Sequence, residues 1–268
     1  MTNAEMRDAV LSKVPAVTLG FWVIKILATT LGETGGDSVT MSWLGETTDH
    51  AVPNGYLIGT GIFAAALVVL VIFQIIAKKF HPFLYWTTIV ASTTAGTTMA
   101  DFFDRSLGIG YTGGAATLFA LVLISLGAWY WTEGTVSVDT VNTPRVEAFY
   151  WITITFSQTL GTALGDWAAD TGGLGYGDGV LVFAGALALI AAAYYLTKLS
   201  HVMLFWMAFI LTRPLGATAG DLLDKPVSDG GMNFSRPLAS LIMAVAIIIC
   251  VLVIPQRPGS HAVSSARA

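Results

Sequence analysis

Little in this sequence suits a soluble enzyme or a nucleic-acid binder. A single cysteine, Cys250, stands among 268 residues, so neither an intrachain disulfide nor a paired thiolate metal site can form. The four histidines, His50, His81, His201 and His261, are scattered in loops or near segment starts and make no zinc-type pair. Charged residues make up only 11%, the net charge is −4 and no run of Lys or Arg occurs. That leaves no basic patch to neutralise phosphates and argues against nucleic acid as a partner. There is no phosphate loop, no nucleophile elbow and no recognisable nucleophile with its base, so an enzyme is not expected and no cofactor is implied. The polar residues 1–13 are followed by no small-residue cleavage site, so no removable signal peptide is expected.

What the chain has instead is apolar length. Hydrophobic residues make up 54% and the mean hydropathy is +0.70, too apolar for a chain that must present a watery surface. Apolar stretches recur at 14–36, 56–77, 83–103, 115–131, 146–167, 179–196, 202–223 and 238–254. Each is near the ~20 residues that a helix needs to cross a bilayer. None alternates as a barrel strand would, and hydrocarbon demands internally bonded backbone, so the segments read as helices. The fold class is therefore an all-α integral membrane protein with eight transmembrane helices. One membrane domain, 14–254, lies between a short N-terminal segment, 1–13, and a tail, 255–268.

The eight segments alternate in kind. Odd ones are rich in Thr, Gly and Asp; even ones are plainly apolar. Aligning the odd segments on one aspartate brings Asp37, Asp101, Asp166 and Asp221 into register, each preceded by the same small residues. Fifteen positions earlier stand Trp22, Trp86, Trp151 and Trp206, each behind another aromatic (Phe21, Tyr85, Tyr150, Phe205). The chain is thus four tandem two-helix repeats, about 14–77, 80–132, 145–198 and 200–254. Two helices per repeat is an even number, so the repeats lie parallel. A pseudo-fourfold or two-plus-two ring follows, with the polar odd helices inside.

Lys and Arg set the orientation. Arg7, Lys13, Lys78, Lys79, Arg145, Lys198, Arg257 and Arg267 fall on the side of the termini, and only Arg105, Lys225 and Arg236 on the other. Both termini are expected in the cytoplasm, with the protein in a bacterial inner membrane. The opposite loops collect Glu46, Asp49, Asp104, Asp170, Asp178, Asp224 and Asp229, a negative mouth that would concentrate cations.

At 100° per residue, the positions four, eight and fifteen before each aspartate lie about 40°, 80° and 60° from it. They form one polar stripe with an aromatic end. Gly32 and Gly36, Gly96 and Ala100, Gly161 and Gly165, and Gly216 and Gly220 are small-xxx-small pairs, read as helix-packing positions. The aspartates allow two readings. An ionised carboxylate at helix-centre depth costs roughly 2.5–3.5 kcal/mol, which favours a shared polar site on the axis; alternatively, each ends its helix and caps the next turn. The second acids Asp104, Asp170 and Asp224 read as solvated loop residues. The tryptophans read as interface anchors or as walls of a cavity. Lys25 and Arg213, the only bases within the spans, call for carboxylate partners on other repeats, with Glu33, Asp37 or Asp101 the candidates for Arg213.

The four units, each with its aromatic-Trp pair and Gly-x-x-x-(Gly/Ala)-Asp ending, resemble a bacterial membrane-protein family known as a four-fold repeat of unknown function. The resemblance runs from Lys13 to Ile254. The third repeat places its second acid one residue later and the first has Thr40 instead. The family implies the architecture and brings no substrate.

From the residues themselves, the leading expectation is a transporter of a small cation. Asp37, Asp101, Asp166 and Asp221, helped by Glu33, would bind a hard divalent ion such as Mn²⁺ or Mg²⁺, or couple to protons. One alternative is an organic-cation carrier walled by Trp22, Trp86, Trp151 and Trp206. Another is a non-transporting membrane scaffold. The expected partners are the lipid bilayer and the small cation; the oligomeric state is left open.

Overall fold

Each odd segment begins where a hydroxyl or a proline can close its first turn. The Thr18, Thr143 and Ser200 hydroxyls accept from the backbone N–H of Phe21, Val146 and Met203 at 3.3, 3.4 and 3.4 Å, while Pro82 opens the remaining helix. The computed structural model describes residues 11–260. Arg7, Arg267 and His261, with the rest of residues 1–10 and 261–268, lie outside the described residues. The odd helices are α1 (Leu19–Asp37), α3 (Pro82–Asp101), α5 (Pro144–Asp166) and α7 (His201–Asp224). The even ones are α2 (Gly55–Ile76), α4 (Gly110–Glu133), α6 (Gly175–Leu196) and α8 (Arg236–Val253). After Asp37, Asp101 and Asp166 the backbone runs straight into one π-helical turn, whereas α7 continues regularly to Asp224.

The first span begins later than its hydropathy indicates. Leu11–Pro15 is a strand, β1, paired antiparallel with β2 (Pro258–Ser260). The Lys13 N–H donates to the Val141 carbonyl at 2.7 Å and the Ser12 hydroxyl to Val138 at 2.6 Å. Thr18, as N-cap, defers the helix to Leu19. Both described ends therefore lie side by side at one end of the molecule.

The four odd helices close a ring, α1 on α3, α3 on α5, α5 on α7 and α7 on α1. Their aromatic ends meet at one end and their aspartate ends at the other, so all four run the same way. Each even helix packs outside, mainly on the odd helix of the next repeat: α2 on α3, α4 on α5, α6 on α7, with α8 returning to α1. Short connections such as 77–81 and 197–200 explain the hairpin partners; only the α8 to α1 contact is remote in sequence.

The glycine stripe makes this ring possible. Gly32 faces Thr93, Gly96 faces Gln158, Gly161 faces Arg213 and Gly216 faces Thr29, one seat per interface around the circle. Gly36, Gly165 and Gly220 repeat the pattern one turn on, against Thr97, Ala217 and Glu33. Lacking Cβ atoms, they let the next helix approach closely. Each of these glycines stands against the neighbouring odd helix.

The polarity of the chain is reversed relative to a soluble protein. Lys25, Arg213, Glu33, Asp37 and a series of threonines are buried, while Ile62, Val68, Phe73, Leu123, Leu181, Leu189, Leu241 and Leu252 are exposed on the even helices. By length and composition five helices, α2, α4, α6, α7 and α8, are apolar enough to cross a membrane. The remaining three, α1, α3 and α5, fall short because Thr, Gly and acidic residues line the ring interior.

Candidate functional site

Going up the ring from the β1–β2 end, each odd helix contributes one side chain to five successive layers at four-residue spacing. The floor is Phe21, Tyr85, Tyr150 and Phe205; then come Lys25, Ile89, Ile154 and Phe209; Thr29, Thr93, Gln158 and Arg213; Glu33, Thr97, Thr162 and Ala217; and finally Asp37, Asp101, Asp166 and Asp221. All twenty are buried.

In the floor, each aromatic packs on the tryptophan of the next repeat. Phe21 to Trp86, Tyr85 to Trp151, Tyr150 to Trp206 and Phe205 to Trp22 have ring centroids 5.4, 5.9, 6.4 and 5.7 Å apart. The hydroxyls of Tyr85 and Tyr150 share a 2.6 Å hydrogen bond, and the indole N–H groups of Trp86 and Trp206 donate to Gln256 and to the Val136 carbonyl. The tryptophans wedge neighbouring repeats together and, with the aromatics before them, close this end of the ring.

The two bases found within the spans occupy adjacent layers. Arg213 pairs with Glu33 at 3.0 Å, one of the three partners the sequence left open, and its guanidinium also donates to the Thr97 and Thr162 hydroxyls and to the Thr93 carbonyl. Four helices converge on that one group. Lys25 departs from expectation: among the described residues it makes no ion pair with a carboxylate. Its Nζ donates to Gln158 Oε1 at 3.3 Å and lies 4.2 Å from the centre of the Phe209 ring. Its partners come from other repeats, as expected, but an amide and an aromatic face take the carboxylate's place.

The motif aspartates do not cap their helices. No side-chain cap bond forms at Asp37, Asp101 or Asp166, and the carboxylates turn inward. One oxygen each from Glu33, Asp166 and Asp221 lie within 4.8 Å of one another, and so do oxygens of Asp37, Asp221 and Asp224. Asp101 stands apart from these groups, paired with Arg105 at 2.8 Å. Asp104 and Asp224 are buried, correcting their assignment as solvated acids; Asp170 is exposed as expected. Asp224 is held where α7 persists beyond the motif and Arg236 reaches it at 3.7 Å. Asp104 is turned inward by the π-helical turn against Gly114.

Sequence reasoning missed two bases by counting them as loop charges. Lys225 Nζ lies 2.6 Å from Asp37 Oδ2 and 3.0 Å from Asp221 Oδ1. Burial opposes its charge, yet Asp221, Asp37 and Asp224 hold it well above the usual lysine range. Arg105 and Lys225 both stand four residues after a motif aspartate, on the same face of the helix, and that spacing was the available signal.

Six carboxylates (Glu33, Asp37, Asp101, Asp166, Asp221, Asp224) thus meet four cations (Arg105, Arg213, Lys225, Arg236), an excess of two formal negative charges if all ionise. Asp37 Oδ1, Asp101 Oδ2 and both Asp224 oxygens are buried without a hydrogen-bond partner.

The sequence matches the family described as Repeat of Unknown Function (DUF347) four times, over residues 20–80, 84–135, 149–200 and 204–254. The chain belongs to the DUF347 repeat family. Each DUF347 match holds one of the tryptophans that stand fifteen residues before a motif aspartate, that aspartate and one even helix. No curated protein and no solved structure matches the chain.

Proposed function

We propose that this DUF347 protein crosses the membrane with all eight helices and transports a small cation, either a hard divalent ion such as Mn²⁺ or Mg²⁺ or a proton-coupled ion. The observation that carries this reading is the buried carboxylate layer with its surplus of negative charge and its unpartnered oxygens. Buried polar atoms are ordinarily satisfied, and an all-oxygen donor set without Cys or His favours hard cations over copper or zinc. The exposed apolar belt on the even helices supports an eight-span arrangement, in which α1, α3 and α5 cross shielded from lipid by their neighbours. The excess of Lys and Arg at the paired ends supports cytoplasmic termini in a bacterial inner membrane.

The aromatic floor then separates the carboxylate layer from the cytoplasmic side. Transport requires that floor to part, so this arrangement corresponds to a state closed toward the cytoplasm. Tryptophans packed ring on ring leave the organic-cation reading without the roomy aromatic cavity it needs.

The test is flux of Mn²⁺, Mg²⁺, Ca²⁺, Na⁺ and H⁺ into proteoliposomes, beside a variant with Asp37, Asp101, Asp166 and Asp221 all changed to Asn. Flux that vanishes in a folded variant supports the reading. If the wild type moves none of these ions, it fails and a scaffold role takes its place.

A further inference from the structure

At the position four residues after the motif aspartate, the repeats carry Met41, Arg105, Asp170 and Lys225. Arg105 stays with the aspartate of its own helix. Lys225 reaches across the ring junction to Asp37 of the first repeat as well as to its own Asp221, with Met41 Sδ 3.6 Å away. Its ammonium is a cation already seated among carboxylate oxygens. It does not satisfy them: Asp37 Oδ1 and both oxygens of Asp224 remain buried without a hydrogen-bond partner.

The same three carboxylates stand close to metal-binding spacing. Oxygens of Asp37, Asp221 and Asp224 lie within 4.8 Å of one another. A six-coordinate ion with ligands at about 2.1 Å separates its oxygens by roughly 3–4.2 Å, so a small inward movement of the three side chains would complete the grip. An ion there would take the oxygens that Lys225 now holds, and like charges cannot share the seat. Lys225 has a way out. It caps α7 in extended conformation, followed by the exposed residues 226–230, and its backbone is anchored by hydrogen bonds to Asp221 and Asn233 at 2.9 Å each. Its four-carbon stem can therefore swing outward without moving the helix.

We propose that Asp37, Asp221 and Asp224 form a divalent-cation site of the layer and that Lys225 is its tethered competitor, whose ammonium leaves when the ion enters. The proposal rests on the cation reading above and names the site and the control within it. Swapping one charge for two also limits the change in buried charge to a single unit, which softens the electrostatic cost of loading.

Equilibrium binding of Mn²⁺ to purified protein in detergent, followed by electron paramagnetic resonance of the free ion, tests it. Lys225→Met, which keeps the stem and removes the charge, is expected to bind Mn²⁺ about tenfold or more tightly than wild type, because the competent state no longer waits on displacement. Lys225→Arg keeps a competitor and stays near wild type; Asp224→Asn weakens binding. Should Lys225→Met be unstable alone, Mn²⁺ is expected to restore its melting temperature, and failure to restore it overturns the proposal. Equal affinity of wild type and Lys225→Met also overturns it, yet leaves the cation reading intact provided the aspartate variant loses flux. Absence of Mn²⁺ binding in every folded variant overturns the divalent site, and only absent flux of all five ions removes the cation reading.

Discussion

Replacing Gly96 by alanine tests the interlock on which the whole site depends. A Cβ at that position would stand 2.9 Å from the backbone carbon of Gln158 and 2.9 Å from the backbone nitrogen of Thr159. Ordinary carbon contacts lie at about 3.5–4.0 Å, so α3 and α5 would have to part by roughly half an ångström or more, and helix backbone yields less readily than a side-chain tip. Overpacking of this kind costs about 1–3 kcal/mol. The helix propensity of alanine offsets part of that, about 0.8–1 kcal/mol, so the comparison needs an alanine that gains propensity without contact. Gly61 on α2 supplies it, since nothing lies within 4 Å of a Cβ there. Between Gly96→Ala and Gly61→Ala the propensity gain cancels, and the gap should be about 1–3 kcal/mol, or roughly 2–12 °C in melting temperature. Thermal melts in detergent, read by tryptophan fluorescence, measure it, with Gly61→Ala at or above wild type. Equal melting temperatures for the two variants would refute the glycine-seat geometry.

Glu33→Gln leaves the Arg213 guanidinium buried without its counter-charge and should cost about 3–5 kcal/mol. Glu33→Gln combined with Arg213→Gln should cost clearly less than the sum of the single changes, and additive effects in a double-mutant cycle would show that the two do not act as a pair. Burial pushes the Asp104 carboxyl up to about 6, against the opposing pull of Arg105. The folded state thus holds this proton more firmly than the unfolded chain, so the stabilisation is complete below about pH 4 and is lost as pH rises through 6. Asp104→Asn removes that loss, and its melting temperature should gain on wild type between about pH 4 and 7; a gap that does not change with pH refutes the assignment.

Much of the ring was legible because it is written four times. The register of the aspartates, the small-residue pairs and the need of Arg213 for a carboxylate on another repeat follow from aligned repeats and the cost of an unpaired charge in an apolar interior; the choice of Glu33 over Asp37 and Asp101 does not. What sits just past each motif was not legible. Hydropathy treats Asp104, Asp224, Arg105 and Lys225 as loop charges, since it cannot register a π-helical turn that keeps a side chain inward or an α-helix that runs three residues longer than its siblings. Hydropathy starts α1 too early because Val14 and its neighbours are apolar, and only the pairing with residues 258–260 makes them a strand. Nor does periodicity say which neighbour an even helix covers: α4 packs on α5 although the connection to α3 is the shorter one, and α8 returns to α1 with no helix after it.

Because each even helix shelters the next repeat's odd helix, the architecture is a swapped tetramer threaded on one polypeptide. Four identical copies could trade helices in the same way, but every junction would then be alike. A single chain has one junction where its beginning meets its end, between α1 and α7. There Glu33 meets Arg213, and Asp37 meets Lys225. That seam is free to differ from the other three, and among the described residues both buried ion pairs between repeats, Glu33 with Arg213 and Asp37 with Lys225, stand where the circle closes.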